Sequence, residues 1–453
     1  MTERCDLVNT VIENPQDRRR LPLLPLLDPA AKRPESVSRE EMEAFPEPEI
    51  TVPEVRFDYS YQELTVLAQE ITQATPDDVR RVVRYGLIWS GMRVQDDALS
   101  WTSIDHGYKE GTRLPRVVLP VDDKRLSIRT VPNGWRGVHD TPFTLRRGES
   151  GGMRLTADGV EIARPIVRHK TESVQTLAYI AGQEDGSVNI TANPLQRCPQ
   201  ACEFCCRGYH DMTNERKKEL VNLSPEEMAR ALMTQFSEKV KNWGEISGIT
   251  FSTGDFRDEP HLLEYVEKFV AAMGTVTGGE WNPQKNEHQY ISVLTHILKS
   301  RAGLEQARSL GMKRFIHTVE MTDAARREQV MHLNRKDFES TPRNKGYTTF
   351  EGILGVLGNA VEVFEPQNVE AILVVGLDPL ERTRSAMDQL KEIGITRVGR
   401  ALINIYNMNQ FALVPASFED AVGGMEYAKR LFASPHRKRI SSSAAATPQN
   451  LQV

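Results

Sequence analysis

The chain has 453 residues, of which 39% are hydrophobic and 26% charged, and its net charge is −5. That length allows one large domain or two ordinary ones with a sizeable core, and the slight negative charge gives no electrostatic basis for binding nucleic acid or an anionic membrane. The longest apolar runs, such as 371–377, are too short to cross a bilayer, and a start interrupted by Asp6, Glu13 and Asp17 does not read as a secretory signal, so a cytoplasmic location is expected.

Residues 1–55 are rich in proline and charge and read as an extended arm. Over 61–94, Val79, Val82, Val83, Leu87 and Ile88 recur at helical spacing and predict a helical pair. The pattern then turns to short β-prone runs at 116–119, 126–131 and 176–180, separated by Gly- and Asp-rich turns. Together these predict a mixed α+β accessory domain over 56–184.

From about residue 185 the grain changes again. Strand candidates at 188–192, 246–252, 290–295, 314–321, 369–376 and 397–406 alternate with helical stretches at 225–243, 261–272, 302–310, 322–333 with 350–361, and 380–393. Buried, β-branched strands separated by helices imply a parallel sheet with right-handed crossovers. Six such units fit a partial (β/α)6 barrel over 185–410 better than a closed eightfold one. A C-terminal helix at 411–435 and a disordered tail at 436–453 complete the expected α/β organisation.

Four of the five cysteines, Cys198, Cys202, Cys205 and Cys206, lie within nine positions. A disulfide framework would spread its cysteines to close loops, whereas a tight cluster in a large chain reads as a metal site. Cys198, Cys202 and Cys205 stand in a C-x3-C-x2-C spacing directly after the first barrel strand, with Phe204 before the last of them. Thiolates suit zinc or an iron–sulfur cluster. A zinc knot would use Cys198, Cys202, Cys205 or Cys206, and His210. Zinc sites usually join two separated ligand pairs, and no second pair is present. Three thiolates on one loop would instead hold three irons of a cubane and leave the fourth open to an amino-acid chelate.

This motif resembles that of the radical S-adenosylmethionine (SAM) superfamily, whose cluster loop reads C-x3-C-x-aromatic-C. The resemblance covers about half the chain. It implies a [4Fe-4S] cluster bound by Cys198, Cys202 and Cys205, and SAM cleavage to methionine and a 5′-deoxyadenosyl radical. It also implies an external electron donor such as a flavodoxin or ferredoxin. The segment Ser252-Thr253-Gly254-Asp255 resembles a variant of the family's GGE segment, which binds the methionine amine; Thr253 and Asp255 depart from that pattern, and a plain βα turn is the alternative. Glu320 resembles a ribose-hydroxyl acceptor, Arg335 and Arg343 compete to pair with the methionine carboxylate, and Val374 lies in a run resembling the adenine-contact strand.

His296, His317, Asp378 and Tyr209 are the candidate catalytic groups, with His210, Asp258 and Glu259 also near predicted C-terminal strand ends, where barrel enzymes place their chemistry. Beyond the cluster loop only Cys5 remains, too few thiols for an auxiliary cluster, and no cobalamin-type motif is seen. The surviving expectation is a radical SAM lyase of the dehydratase or deaminase type, acting on an aminosugar or aminoglycoside intermediate of antibiotic biosynthesis, with a partner reductase where a product radical must be quenched. A peptide-modifying enzyme, an aminomutase and a zinc-stabilised binding module are the alternatives.

Overall fold

The computed structural model describes residues 57–95, 116–132, 141–148, 152–163, 177–182, 188–202, 222–333, 349–402 and 416–433, with short breaks at 58, 73–74, 122–123, 197 and 199. The expected arm and tail lie outside them.

The helical pair is present as α1 (Tyr61–Ile71) and α2 (Pro76–Ser90). Each starts on a reciprocal capping box, Ser60 with Glu63 and Thr75 with Asp78, which satisfies two otherwise orphaned N–H groups at each helix start. The sequence pattern carries the second helix to residue 94, but Gly91 takes a φ of 67° and ends it, and β1 (Met92–Val94) follows. Strand β1 lies between the hairpin β2 (Arg116–Val121) and β3 (Lys124–Pro132) on one side and the meander β4 (Phe143–Arg147), β5 (Met153–Ala157) and β6 (Val160–Ala163) on the other.

The second sheet has seven strands in the order β15-β14-β12-β11-β10-β8-β7. Its parallel members are β8 (Val188–Ala192), β10 (Ile246–Phe251), β11 (Tyr290–Thr295), β12 (Met312–Glu320), β14 (Val369–Val375) and β15 (Arg397–Leu402). Its crossover helices are α3 (Pro225–Phe236), α4 (Glu259–Val276), α5 (Arg301–Ser309), α6 (Ala324–Val330) with α7 (Phe350–Phe364), and α8 (Leu380–Glu392). The six β/α units are therefore present, and among the described residues the sheet is open, ending at β15 and β7.

Two further elements differ from the sequence reading. The run placed in the accessory domain at 176–180 forms β7 (Ala178–Gly182), which pairs antiparallel with β8 and extends the second sheet. The expected helix at 322–333 stops early: α6 gives way to β13 (Met331–Leu333), which pairs antiparallel with β9 (Gln200–Cys202) in the cysteine loop.

Parallel register assigns the faces. Ala192, Phe251, Val293 and Phe315 align across four strands, and this is the helix-packed side. Phe251 meets Phe269 and Tyr265 of α4 edge-on at 4.8 and 5.8 Å, and Phe315 stacks on Phe364 of α7 at 6.1 Å. On the opposite face Asn189, Gly248 and Tyr290 form one row and Thr191, Thr250, Ser292 and Arg314 the next. Gly248 is required there: a Cβ would lie 2.3 Å from the Tyr290 ring and 2.5 Å from Asn189 Oδ1, and these two side chains hydrogen-bond at 2.7 Å.

The last helix, α9 (Phe418–Leu431), joins the two halves of the fold. Phe418 sits against Phe57 and Trp89 at ring distances of 5.0 and 5.6 Å. Arg81 of α2 grips Glu426 of α9 bidentately at 2.6 and 2.9 Å and also donates to Asp78. One hydrophobic core runs through both regions.

Candidate metal centre

After Ala192 the chain leaves β8, and its first residues are fastened to the loop that follows β10. Ser252 N–H donates to the Ala192 carbonyl at 3.0 Å. The Thr253 hydroxyl accepts from Leu195 N–H at 2.7 Å and donates to Leu195 O at 3.0 Å, and Gly254 N–H donates to the same carbonyl at 2.7 Å. The next N–H, that of Asp255, donates to Cys198 Sγ at 3.4 Å. Cys198 is 7% exposed. An N–H directed at a buried sulfur favours its thiolate form, the form in which a cysteine ligates metal. From the other side, β13 pairs with β9 and sets the main chain of Cys202 opposite Met331. The cysteine loop is thus held at both ends.

Around this loop the strand ends carry charge. His296, directly after β11, places Nδ1 3.1 Å from Asp255 Oδ1, and the two side chains are only 3% and 9% exposed. Burial pushes the Lys299 ammonium below its ordinary range; Asp255 and Glu259 oppose this, and Arg327 adds to it. Arg327 of α6 is 1% exposed and donates to the carbonyls of Val319 and Met321, both at 2.5 Å.

Between those two carbonyls sits Glu320. The β12–β14 register slips between Thr318 and Glu320, a bulge that places one extra residue against β14, and Glu320 takes a φ of 66°. Bulges and left-handed non-glycine residues concentrate where a side chain must be re-aimed at a ligand. Asp378, in the turn after β14, accepts from Thr322 N–H at 2.6 Å and from its hydroxyl at 3.0 Å, tying the turns after β12 and β14 together. Its Oδ1 is buried and has no hydrogen-bond partner among the described residues.

The structure therefore brings Cys198, Cys202, Gly254, Asp255, His296, Glu320 and Asp378 to the C-terminal ends of the parallel strands. His317 differs from the sequence reading. It shares the helix-packed face with Phe315, whose ring it meets edge-on at 6.0 Å, because the two-residue strand period carries it away from Thr318. Asp258 and Glu259 are helix caps. Asp258 accepts from His261 N–H at 2.9 Å, and Glu259 accepts from Lys299 and Ser300 N–H at 2.7 and 2.9 Å. Val374 is half-buried on the face shared with Glu370 and Ile372. Phe204, Cys205, Cys206, Tyr209, His210, Arg335 and Arg343 lie outside the described residues.

Thr253, named in the sequence as a departure from the GGE pattern, anchors the loop through its hydroxyl. Arg327 and Lys299 were not foreseen: Arg327 fastens the carbonyls on either side of Glu320, and Lys299 lies in the turn after β11, neither carrying a sequence signal apart from lying one short turn beyond a strand. Among the described residues no three His, Cys, Asp or Glu side chains converge as a complete metal site. The donors in place fit a cluster held by thiolates: Cys198 Sγ is buried and hydrogen-bonded, and Cys202 is set in the same loop by the β9–β13 ribbon.

No family model matches the chain, and no curated protein matches it. Solved structures do. The FeFe-hydrogenase maturase HydG from Carboxydothermus hydrogenoformans is 16% identical over 53% of this chain and 51% of its own, with a TM-score of 0.37. Coproporphyrinogen III oxidase (HemN) from Escherichia coli, a radical SAM enzyme, is 14% identical over 53% and 50%, with a TM-score of 0.35. The radical SAM methyltransferase TsrM from Kitasatospora setae is 10% identical over 57% and 46%, with a TM-score of 0.33. The match spans about half the length of each of these proteins, and the solved structures that this chain resembles thus include radical SAM enzymes.

Proposed function

We propose that this chain is a radical SAM enzyme and, within that class, a dehydratase- or deaminase-type lyase acting on an aminosugar or aminoglycoside intermediate. The observation that carries the class is the Cys198 thiol, buried beyond the first parallel strand and receiving the Asp255 N–H at 3.4 Å, within the C-x3-C-x2-C spacing.

In this reading Cys198, Cys202 and Cys205 hold a [4Fe-4S] cluster, and the cluster with SAM supplies a 5′-deoxyadenosyl radical. The chain's own residues do the remaining work. Gly254, without a Cβ, lets the main chain approach the methionine amine of SAM closely. Glu320, re-aimed by its bulge, accepts the ribose hydroxyls. Asp378 Oδ1 offers a buried carboxylate oxygen to a substrate hydroxyl or amine. An external flavodoxin- or ferredoxin-type donor supplies electrons, with a partner reductase where a product radical must be quenched. Among the described residues no helix is long and apolar enough to cross a membrane.

Anaerobically reconstituted protein should be brown, give the low-temperature EPR signal of a reduced [4Fe-4S] cluster, and release 5′-deoxyadenosine from SAM. Deuterium arriving in that product from one position of a labelled aminosugar would establish the lyase substrate. Colourless protein carrying zinc after the same treatment would overturn the class, and 5′-deoxyadenosine that never acquires label from any aminosugar would overturn the substrate.

A further inference from the structure

We propose that His296 is a positioning residue for the metal centre: by holding the Asp255 carboxylate it fixes the Asp255 main-chain N–H on Cys198 Sγ. The proposal rests on the iron–sulfur reading above and adds to it a group that never touches the cluster.

The geometry is a relay across three neighbouring strand ends, β11 to β10 to β8. His296 Nδ1 lies 3.1 Å from Asp255 Oδ1, and Asp255 N lies 3.4 Å from Cys198 Sγ. The peptide before Asp255 is already pinned, because Gly254 N–H reaches Leu195 O at 2.7 Å. In the proposal the Asp255 side chain, held by His296, restricts the backbone torsions at Asp255 and with them the direction of its N–H. A carboxylate 9% exposed is costly to bury without compensation, and the His296 imidazole, when protonated, stands at ion-pair distance from it. The burial of His296 alone would equally describe a core histidine. Its contact with Asp255, whose N–H meets the cysteine sulfur, is what a core histidine does not require.

The consequence is electronic. An N–H directed at a ligand sulfur stabilises the more negative, reduced form of a cluster and raises its potential. Releasing Asp255 should let that N–H swing away and make the potential more negative.

The test compares wild type, His296→Leu and His296→Asn after anaerobic reconstitution, reading iron per chain, far-UV circular dichroism and the reduced fraction by EPR at a fixed poise. The leucine variant removes the contact, whereas asparagine can place a donor near the Nδ1 position. The expected result is a ~5-fold lower reduced-to-oxidised ratio for His296→Leu and recovery to within ~2-fold of wild type for His296→Asn. Equal ratios in all three proteins, or equal losses in both variants, would overturn the positioning role. If the leucine variant does not fold, Asp255→Ala carries the same expected loss, and an unchanged ratio there refutes the proposal equally. Wild-type protein that assembles no cluster would instead refute the parent reading, an outcome visible before any variant is made.

Discussion

Glu320 offers a perturbation whose sign distinguishes a strained functional residue from an ordinary strand end. Its φ of 66° lies where an L side chain costs ~1–2 kcal/mol and glycine nothing, so Glu320→Ala keeps the penalty and Glu320→Gly removes it. Glycine also adds freedom to the unfolded chain, worth about 0.5–1 kcal/mol against it. The balance leaves the glycine variant more stable than the alanine variant by about 0.5–1 kcal/mol, the reverse of the order expected inside a regular strand. In a chain this size that is a melting difference of roughly 0.5–1 °C. It is measurable by scanning calorimetry when both variants are run side by side at one scan rate.

Both substitutions also delete the carboxylate. If it accepts the ribose hydroxyls, each variant should bind SAM ~10-fold or more weakly in a calorimetric titration of reconstituted protein, since a hydrogen bond to a charged group is worth about 1.5–3 kcal/mol. The two readouts are independent. A higher melting point for alanine would remove the backbone argument, and unchanged SAM affinity would remove the ligand role while leaving the strain intact.

Other consequences are equally specific. Thr253→Val keeps the shape and deletes both hydrogen bonds between its hydroxyl and Leu195, whose carbonyl keeps only the Gly254 N–H of those described above; a loss of about 1–3 kcal/mol and lower iron retention during gel filtration are expected, and full retention would argue against the loop anchor. Gly248→Ala drives a methyl into the Tyr290 ring and should cost about 1–3 kcal/mol, most of it recovered in a Tyr290→Leu background; equal losses in both backgrounds would contradict the contact. Burial opposes ionisation of Asp78, but the Thr75 hydroxyl and Arg81 guanidinium outweigh it and hold the carboxyl at about 2, against an ordinary value of 3.8. Because the folded value is the lower one, its stabilisation is present above about pH 4 and disappears as pH falls through 2. Denaturant titrations should show about 2 kcal/mol less of that acid loss in Asp78→Asn, and identical acid profiles would refute it.

Much of this architecture is written in local patterns. Two of the six parallel strands begin and end where the sequence reading places them, at 188–192 and 290–295, because each is a short run of buried, largely β-branched residues. The misreadings have physical causes. His317 was read from its nearness to a strand end, whereas the strand's two-residue phase, set by Phe315 against α7, decides its face. The run at 331–333 lies next to helical sequence, and its extended form depends on a partner 129 positions away, Cys202 opposite Met331. No window of local sequence contains that pairing. Val94 and β7 are the same kind of case: a glycine with positive φ and a tertiary partner each overrode a local trend.

The departures in the segment after β10 become intelligible through those tertiary partners. Measured against a GGE pattern, Thr253 and Asp255 look like erosion of a ligand-binding turn. In the structure each departure has a job that the consensus residue could not do in the same place. A glycine at 253 would lack the hydroxyl that both accepts from and donates to Leu195, and so would leave the cysteine loop one anchor short. A glutamate at 255 would carry its carboxylate one methylene farther from the main chain, past the position at which His296 now meets it at 3.1 Å. The segment keeps the one feature that close approach to a ligand demands, Gly254, and uses its neighbours to fix the N–H that points at Cys198. The substitutions are therefore coupled to the proposed metal centre through its supporting contacts, and the motif diverges in letters while the Cys198 sulfur keeps its hydrogen bond.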